Sequence, residues 1–278
     1  MANPKEGNKA VAKVEDKANA VVVAEDYGQY AGAGFEGHTK EDYAVPFINV
    51  LQSNSPQVDE IKEAKAGMFI NTVTNDLIPG EEGVCLIPCH TSHIYVEWKP
   101  RDSGGGFVGL HQLDSDIVKQ CRATQDFGKF KLANGNDLIE TFYVYAVIAY
   151  DDGRTEQAVL AFSSTKIKAY KNWMSKARTV QVILPDGKRQ NPPLFAHKYR
   201  MKSFKDRNSK GEFYNVDINF DSDDNKAPGA RLSPKDELFQ TAVGFGSMVK
   251  EGAVKASYET QGKTGGAETG QDAEIPFE

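Results

Sequence analysis

The chain has 278 residues, 40% of them hydrophobic and 26% charged, with a formal net charge of −6. This suits one substantial globular core with an appended lobe, and the odd count of Cys85, Cys89 and Cys121 speaks against a disulfide scaffold and for a reducing compartment. No apolar run is long enough to cross a bilayer, and the N-terminus lacks the basic-then-apolar pattern of a signal peptide.

Residues 1–20 are polar and read as a flexible segment, followed by one domain with insertions over 21–250 and a flexible acidic tail over 251–278. Tyr27–Gly37 carries four glycines and reads as a loop. Val45–Gln52 is the first firm strand, with Pro46 suiting its start or an edge. A turn at Ser53–Pro56, a short helix over Val58–Ala64 and a strand over Gly67–Thr74 follow. Val84–Ile87 and Thr91–Trp98 read as two strands interrupted by Pro88. Pro100–Gly106 is a glycine-rich loop, Phe107–Leu110 a short extended piece and Leu113–Thr124 a helix. Ile139–Tyr150 and Arg154–Phe162 form a hairpin across Asp151-Asp152-Gly153. Ser163-Ser164 can cap a helix over Thr165–Ala177, whose Ile167, Tyr170 and Met174 recur at three and four. Thr179–Leu184 reads as a strand and Pro185–Gln190 as a polar turn. Leu194–Phe204 and Glu212–Phe220 are extended runs joined by a turn over Asp206–Gly211. Ser233-Pro234 opens a last helix whose stripe is Leu238, Ala242, Phe245 and Val249; Gly244 and Gly246 weaken it. Many short strands, Gly/Asn/Asp turns and few helices predict a mainly β fold, a closed or partly closed antiparallel barrel with extra strands.

The acidic net charge hides a strong asymmetry. Residues 160–210 hold 13 Lys/Arg against Asp186 and Asp206, whereas the segments on either side are acidic. A local positive field can hold phosphates while the rest of the chain repels them. Aromatic residues lie among these bases, and cations beside flat rings suit single-stranded nucleic acid. The candidate contacts fall into three groups. The first is Lys166, Lys168, Lys171, Trp173, Lys176 and Arg178 on the predicted helix. The second is Trp98, Lys99 and Arg101 before a glycine loop. The third is Tyr199, Arg200, Lys202, Phe204, Lys205 and Arg207, in which alternation puts Arg200, Lys202 and Phe204 on one face.

Cys85, Cys89, His90 and His93 have zinc-ligand chemistry at short spacing, but an extended chain turns neighbours apart and no second paired cluster follows. They read as core cysteines with surface histidines. No phosphate-binding loop, nucleophile elbow, metalloprotease helix or dinucleotide fingerprint is present, so the chain is expected to be no enzyme and to need no cofactor.

The chain ends Asp272-Ala273-Glu274-Ile275-Pro276-Phe277-Glu278. Apolar residues at the tip of an acidic tail suit docking into a partner's pocket ringed by bases. Asp272, Glu274, Ile275, Pro276 and Phe277 match the tip of bacterial single-stranded DNA-binding proteins, with Glu278 as an extra residue. With Pro46–Pro56, Gly67–Asp76, Ile94–Val108 and Leu160–Trp173, the chain resembles the single-stranded DNA-binding proteins of tailed bacteriophages. That resemblance implies an OB-fold core that coats single-stranded DNA during replication and recombination in the host bacterial cytoplasm. It also implies a tail that recruits polymerase, helicase or primase and competes with DNA for the basic groove. A homo-oligomer is compatible with it, and no membrane is involved. The alternative is a virion-associated structural or scaffold protein.

Overall fold

The computed structural model describes residues 30, 33–37, 44–125, 129–209, 211–254, 256 and 258. In chain order its elements are β1 (Ile48–Val50), α1 (Pro56–Glu60), β2 (Phe69–Asn71), β3 (Leu77–Ile78), β4 (Val84–Lys99), β5 (Gly106–Gln112), α2 (Asp116–Thr124), β6 (Lys129–Lys131), β7 (Asp137–Ala149), β8 (Thr155–Ser163), α3 (Lys166–Thr179), β9 (Val182–Ile183), β10 (Arg189–Gln190), β11 (Tyr199–Asn208), β12 (Gly211–Phe220) and α4 (Glu237–Lys250). The fold is mainly β, and the ladders between these strands are antiparallel.

Strand β7 explains the architecture. Its run is almost continuously apolar because both faces are covered, the condition under which strands lose their apolar–polar alternation. Phe142, Val144, Ala146 and Ile148 enter one core with Leu160, Phe162, Trp173 and Tyr199. Tyr143, Tyr145 and Val147 enter a second core with Ile87, Cys89, Ala242 and Phe245. Helix α3 therefore closes one face of the sheet and α4 the other. Helix α4 approaches closely: a Cβ on Gly246 would lie 3.0 Å from the Cys89 carbonyl oxygen, while one on Gly244 meets nothing within 4 Å. The glycine that weakens the helix on its own is what lets it seat.

The main sheet runs β12-β11-β4-β7-β6, with β5 on β4 and β8 on β7. Among the described residues no ladder joins its ends directly and no closed barrel forms; the segment around β1 lies between them, with Phe47 bridging to Val159 of β8 and Ile48 and Val50 in the core shared with β11 and β12. A smaller sheet, β1-β2-β3, packs beside it. The Gln52 side chain takes the place of a further strand on the edge of β12, accepting from the Tyr214 N–H at 2.8 Å and donating to the Tyr214 carbonyl at 2.9 Å.

Most strands and helices are a few residues shorter or shifted from the sequence reading, α1 at Pro56–Glu60 rather than Val58–Ala64 among them, and four differences have a visible cause. Pro88 does not divide β4; it sits at a register shift between Pro88 and His90, where a bulge tolerates the missing N–H. The run from Leu194 begins as a 3-10 turn, Leu194–Ala196, before β11. The hairpin strands reach Asn208 and restart at Gly211, leaving a tighter connection than Asp206–Gly211. Helix α4 begins with Asp236 as its N-cap position, because Ser233 is spent in a turn: its N–H donates to Asp236 Oδ2 at 2.6 Å and its hydroxyl accepts from the Lys235 N–H at 3.2 Å. The segment 1–20 and most of the tail lie outside the described residues.

Candidate nucleic-acid interface

Helix α3 contains no acidic residue (KIKAYKNWMSKART). Its apolar positions turn inward: Ile167 and Trp173 are buried, and Tyr170, Met174 and Ala177 pack against the same core. Helical periodicity then leaves Lys168, Lys171 and Arg178 together on the outward face, all exposed, with Asn172, Ser175 and Thr179 between them. None of these three bases has an ion-pair partner among the described residues. Lys176 lies at the flank and reaches edge strand β12, donating to Asn219 Oδ1 at 2.7 Å and lying 3.9 Å from Asp217. Lys166 is half-buried. Lys176 and Arg178 in the last turn also complement the negative end of the helix dipole.

The chain leaves α3 into the β9–β10 ribbon, which adds two bases that are not among the candidates from sequence. Lys188 pairs with Asp186 at 3.1 Å, and Arg189 is exposed. Residues 185–190 read as a turn because two-residue strands leave no periodicity to detect.

The β11–β12 group is largely neutralised. Arg200 makes a bidentate pair with Asp221, Nε to Oδ1 at 2.7 Å and Nη2 to Oδ2 at 3.2 Å. Hydrogen bonding and the carboxylate charge raise the Arg200 pKa; burial pushes Asp221 up, but Arg200 outweighs it and holds the carboxyl below its ordinary value. Lys205 pairs with Glu212, and Arg207 lies 3.7 Å from the same carboxylate. Lys202 is exposed opposite Asp217. Phe204 is 44% exposed, so the face expected from alternation keeps its ring at the surface.

Three expected stacking rings are not at the surface. Trp98 is 8% exposed and meets Phe107 edge-on; Trp173 is 1% exposed and meets Phe162 and Tyr199; Tyr199 is 1% exposed. These rings fill the cores that the sheet requires on both faces. Lys99 is exposed, and Arg101 opens a 3-10 turn, Arg101–Ser103. This group lies far from the others: β4 pairs Cys85 with Arg200, and Lys99 follows roughly 45 Å further along the strand. The bases of α3, the ribbon and β11–β12 occupy neighbouring elements, while the Trp98–Lys99–Arg101 group belongs to another end of the sheet. The tail residues Asp272, Glu274, Ile275, Pro276 and Phe277 lie outside the described residues.

The Cys/His group does not converge. Cys85 sits beside Arg200 and Asp221, and burial, then the Asp221 carboxylate, push its thiol up to about 12. Cys89 faces α4, and burial pushes it up to about 12 as well. His93 stacks on Phe142 at 4.0 Å and bonds Glu140 at 2.7 Å. No group of three His, Cys, Asp or Glu side chains among the described residues could hold a metal. A cleft of about 260 Å³ near Cys85 is lined by Asp76, Tyr150, Asp152, Arg154 and Arg200, among others. Its guanidiniums are already engaged, Arg154 with Asp76 at 3.0 Å and Asp152 at 2.9 Å. No helix among the described residues is long and apolar enough to cross a membrane.

A family model described as Pam3 phage gp34-like protein matches residues 15–255. No curated protein and no solved structure matches the chain. The match takes in the whole sheet framework together with α3 and α4, and the chain therefore belongs to the Pam3 phage gp34-like family.

Proposed function

We propose that this phage-family protein binds single-stranded DNA without reading its sequence and protects it during replication and recombination in the host cytoplasm. The observation that carries the reading is the acid-free outward face of α3, with Lys168, Lys171 and Arg178 free of carboxylate partners among the described residues. Free surface cations are the groups that exchange their counterions for phosphates, whereas ion-paired ones are already spent. Arg200, Lys205 and Arg207 therefore contribute less than their number suggests. No chemistry is performed; binding is the activity.

The test is the salt dependence of oligonucleotide binding. Each phosphate contact on a single strand adds roughly −0.7 to the slope of log affinity against log salt. The triple variant Lys168→Gln, Lys171→Gln, Arg178→Gln is expected to flatten the slope by about 2 while the fold survives, since all three side chains are exposed. An unchanged slope would rule out α3 as the phosphate contact.

The tail belongs to the same proposal. Ile275, Pro276 and Phe277, with Asp272 and Glu274, dock a replication protein such as a polymerase, helicase or primase. Removing residues 268–278 is expected to keep or strengthen DNA binding and to abolish capture of that partner. Partner binding that survives the deletion would contradict this role.

A further inference from the structure

The β9–β10 ribbon is well bonded within itself yet stands outside the apolar clusters of the described residues. The Leu184 N–H donates to the Lys188 carbonyl at 2.8 Å, and the Gly187 N–H to the Leu184 carbonyl at 2.8 Å. Asp186 Oδ1 accepts from the Lys188 N–H at 3.0 Å, and Gly187 takes a φ of 81° that favours glycine. At the base, Asn191 Nδ2 donates to the carbonyls of Arg178 at 2.6 Å and Val180 at 2.8 Å, tying the ribbon to the end of α3. Yet no residue from 181 to 190 joins any of the four apolar clusters. Ile183 is 67% exposed, the highest value among the large aliphatic side chains of the described residues. Arg189 lies directly across the ladder from it, so the two side chains share one face.

Resting on the reading of α3 as the phosphate-binding face, we infer that the Ile183–Arg189 face of this ribbon contacts the bases of the bound strand. A projecting ribbon with an aliphatic residue beside a guanidinium has two means of meeting a base: an apolar wedge against its face, and a planar cation that stacks on it. The position suits the task. The ribbon is fastened to the helix end that carries Lys176 and Arg178, so phosphates held along α3 leave their bases within reach of it. It also makes up for rings lost to the core, because Trp98, Trp173 and Tyr199 are buried and Phe204 is the exposed ring left among the described candidates.

The experiment compares wild type and Ile183→Ser on two single strands of equal length, one with bases and one wholly abasic, at about 50 and 200 mM salt. Ile183→Ser is expected to weaken binding to the base-containing strand about five-fold, as partial burial of one aliphatic side chain would. The salt slope and the abasic affinity stay as in wild type. Val243→Ser, which removes a 37%-exposed side chain on α4, is the control and changes neither. Equal losses on both strands, or no loss on either, would overturn the inference while leaving the phosphate face intact. Failure of wild type to bind either strand would remove the phosphate face, and this inference with it.

Discussion

Arg200 shows how a residue can look like a contact in the sequence and act as a brace in the fold. Its alternation with Lys202 and Phe204 was legible, but Asp221, which neutralises it, is separated from it by the hairpin and the whole of β12. The pair is partly buried, so Asp221→Asn is expected to cost about 1–2 kcal/mol at neutral pH, between the values for exposed and buried pairs. Because the folded carboxyl is held below its ordinary value of 3.8, its contribution is complete above that value and is lost as pH falls through the folded one. Chemical denaturation of wild type and variant should therefore differ at pH 7 and converge in acid; a gap that persists in acid would rule out the ionic contribution. The tryptophans make the same point from the other side. Local sequence cannot tell a ring that faces solvent from one that fills a core, and here Trp98 and Trp173 fill it.

At the scale of elements, α3 and α4 were readable from their three-and-four spacing, and the β7–β8 hairpin from its turn. What could not be read was the second covered face. An apolar run at strand length fits a barrel wall as well as a strand between two helices. The placement of α4 over Tyr145 and Cys89 supplies that second cover. Gly244 and Gly246 separate the helix's own preference from its packing. Gly244→Ala, into open space, is expected to stabilise by up to about 1 kcal/mol through helix propensity. Gly246→Ala puts a methyl group 3.0 Å from the Cys89 carbonyl and is expected to lose that gain or reverse it. Thermal melting of the two variants checks this; equal stabilisation would mean that α4 does not seat closely on β4. Pro88 was legible as an interruption, but a bulge can absorb it, and so two expected strands are one.

Over the whole molecule, the charge asymmetry survives folding in a narrower form. Of the bases of 160–210, Lys168, Lys171 and Arg178 on α3 have no ion pair among the described residues, Arg200, Lys205 and Arg207 on β11 are ion-paired, and the group near Lys99 stands apart. Carboxylates from the acidic flanks, Asp217 and Asp221 among them, return in space to neutralise what the sequence shows as a continuous basic block. The remaining free face is small, so affinity should rest on a few phosphates, with a salt slope of roughly −2. The most direct measurement is a titration with single- and double-stranded oligonucleotides at about 50 and 200 mM salt. The account predicts tighter binding to the single strand, no dependence on its sequence, and a marked loss at the higher salt. Absent binding at the lower salt, or equal affinity for the duplex, would contradict it.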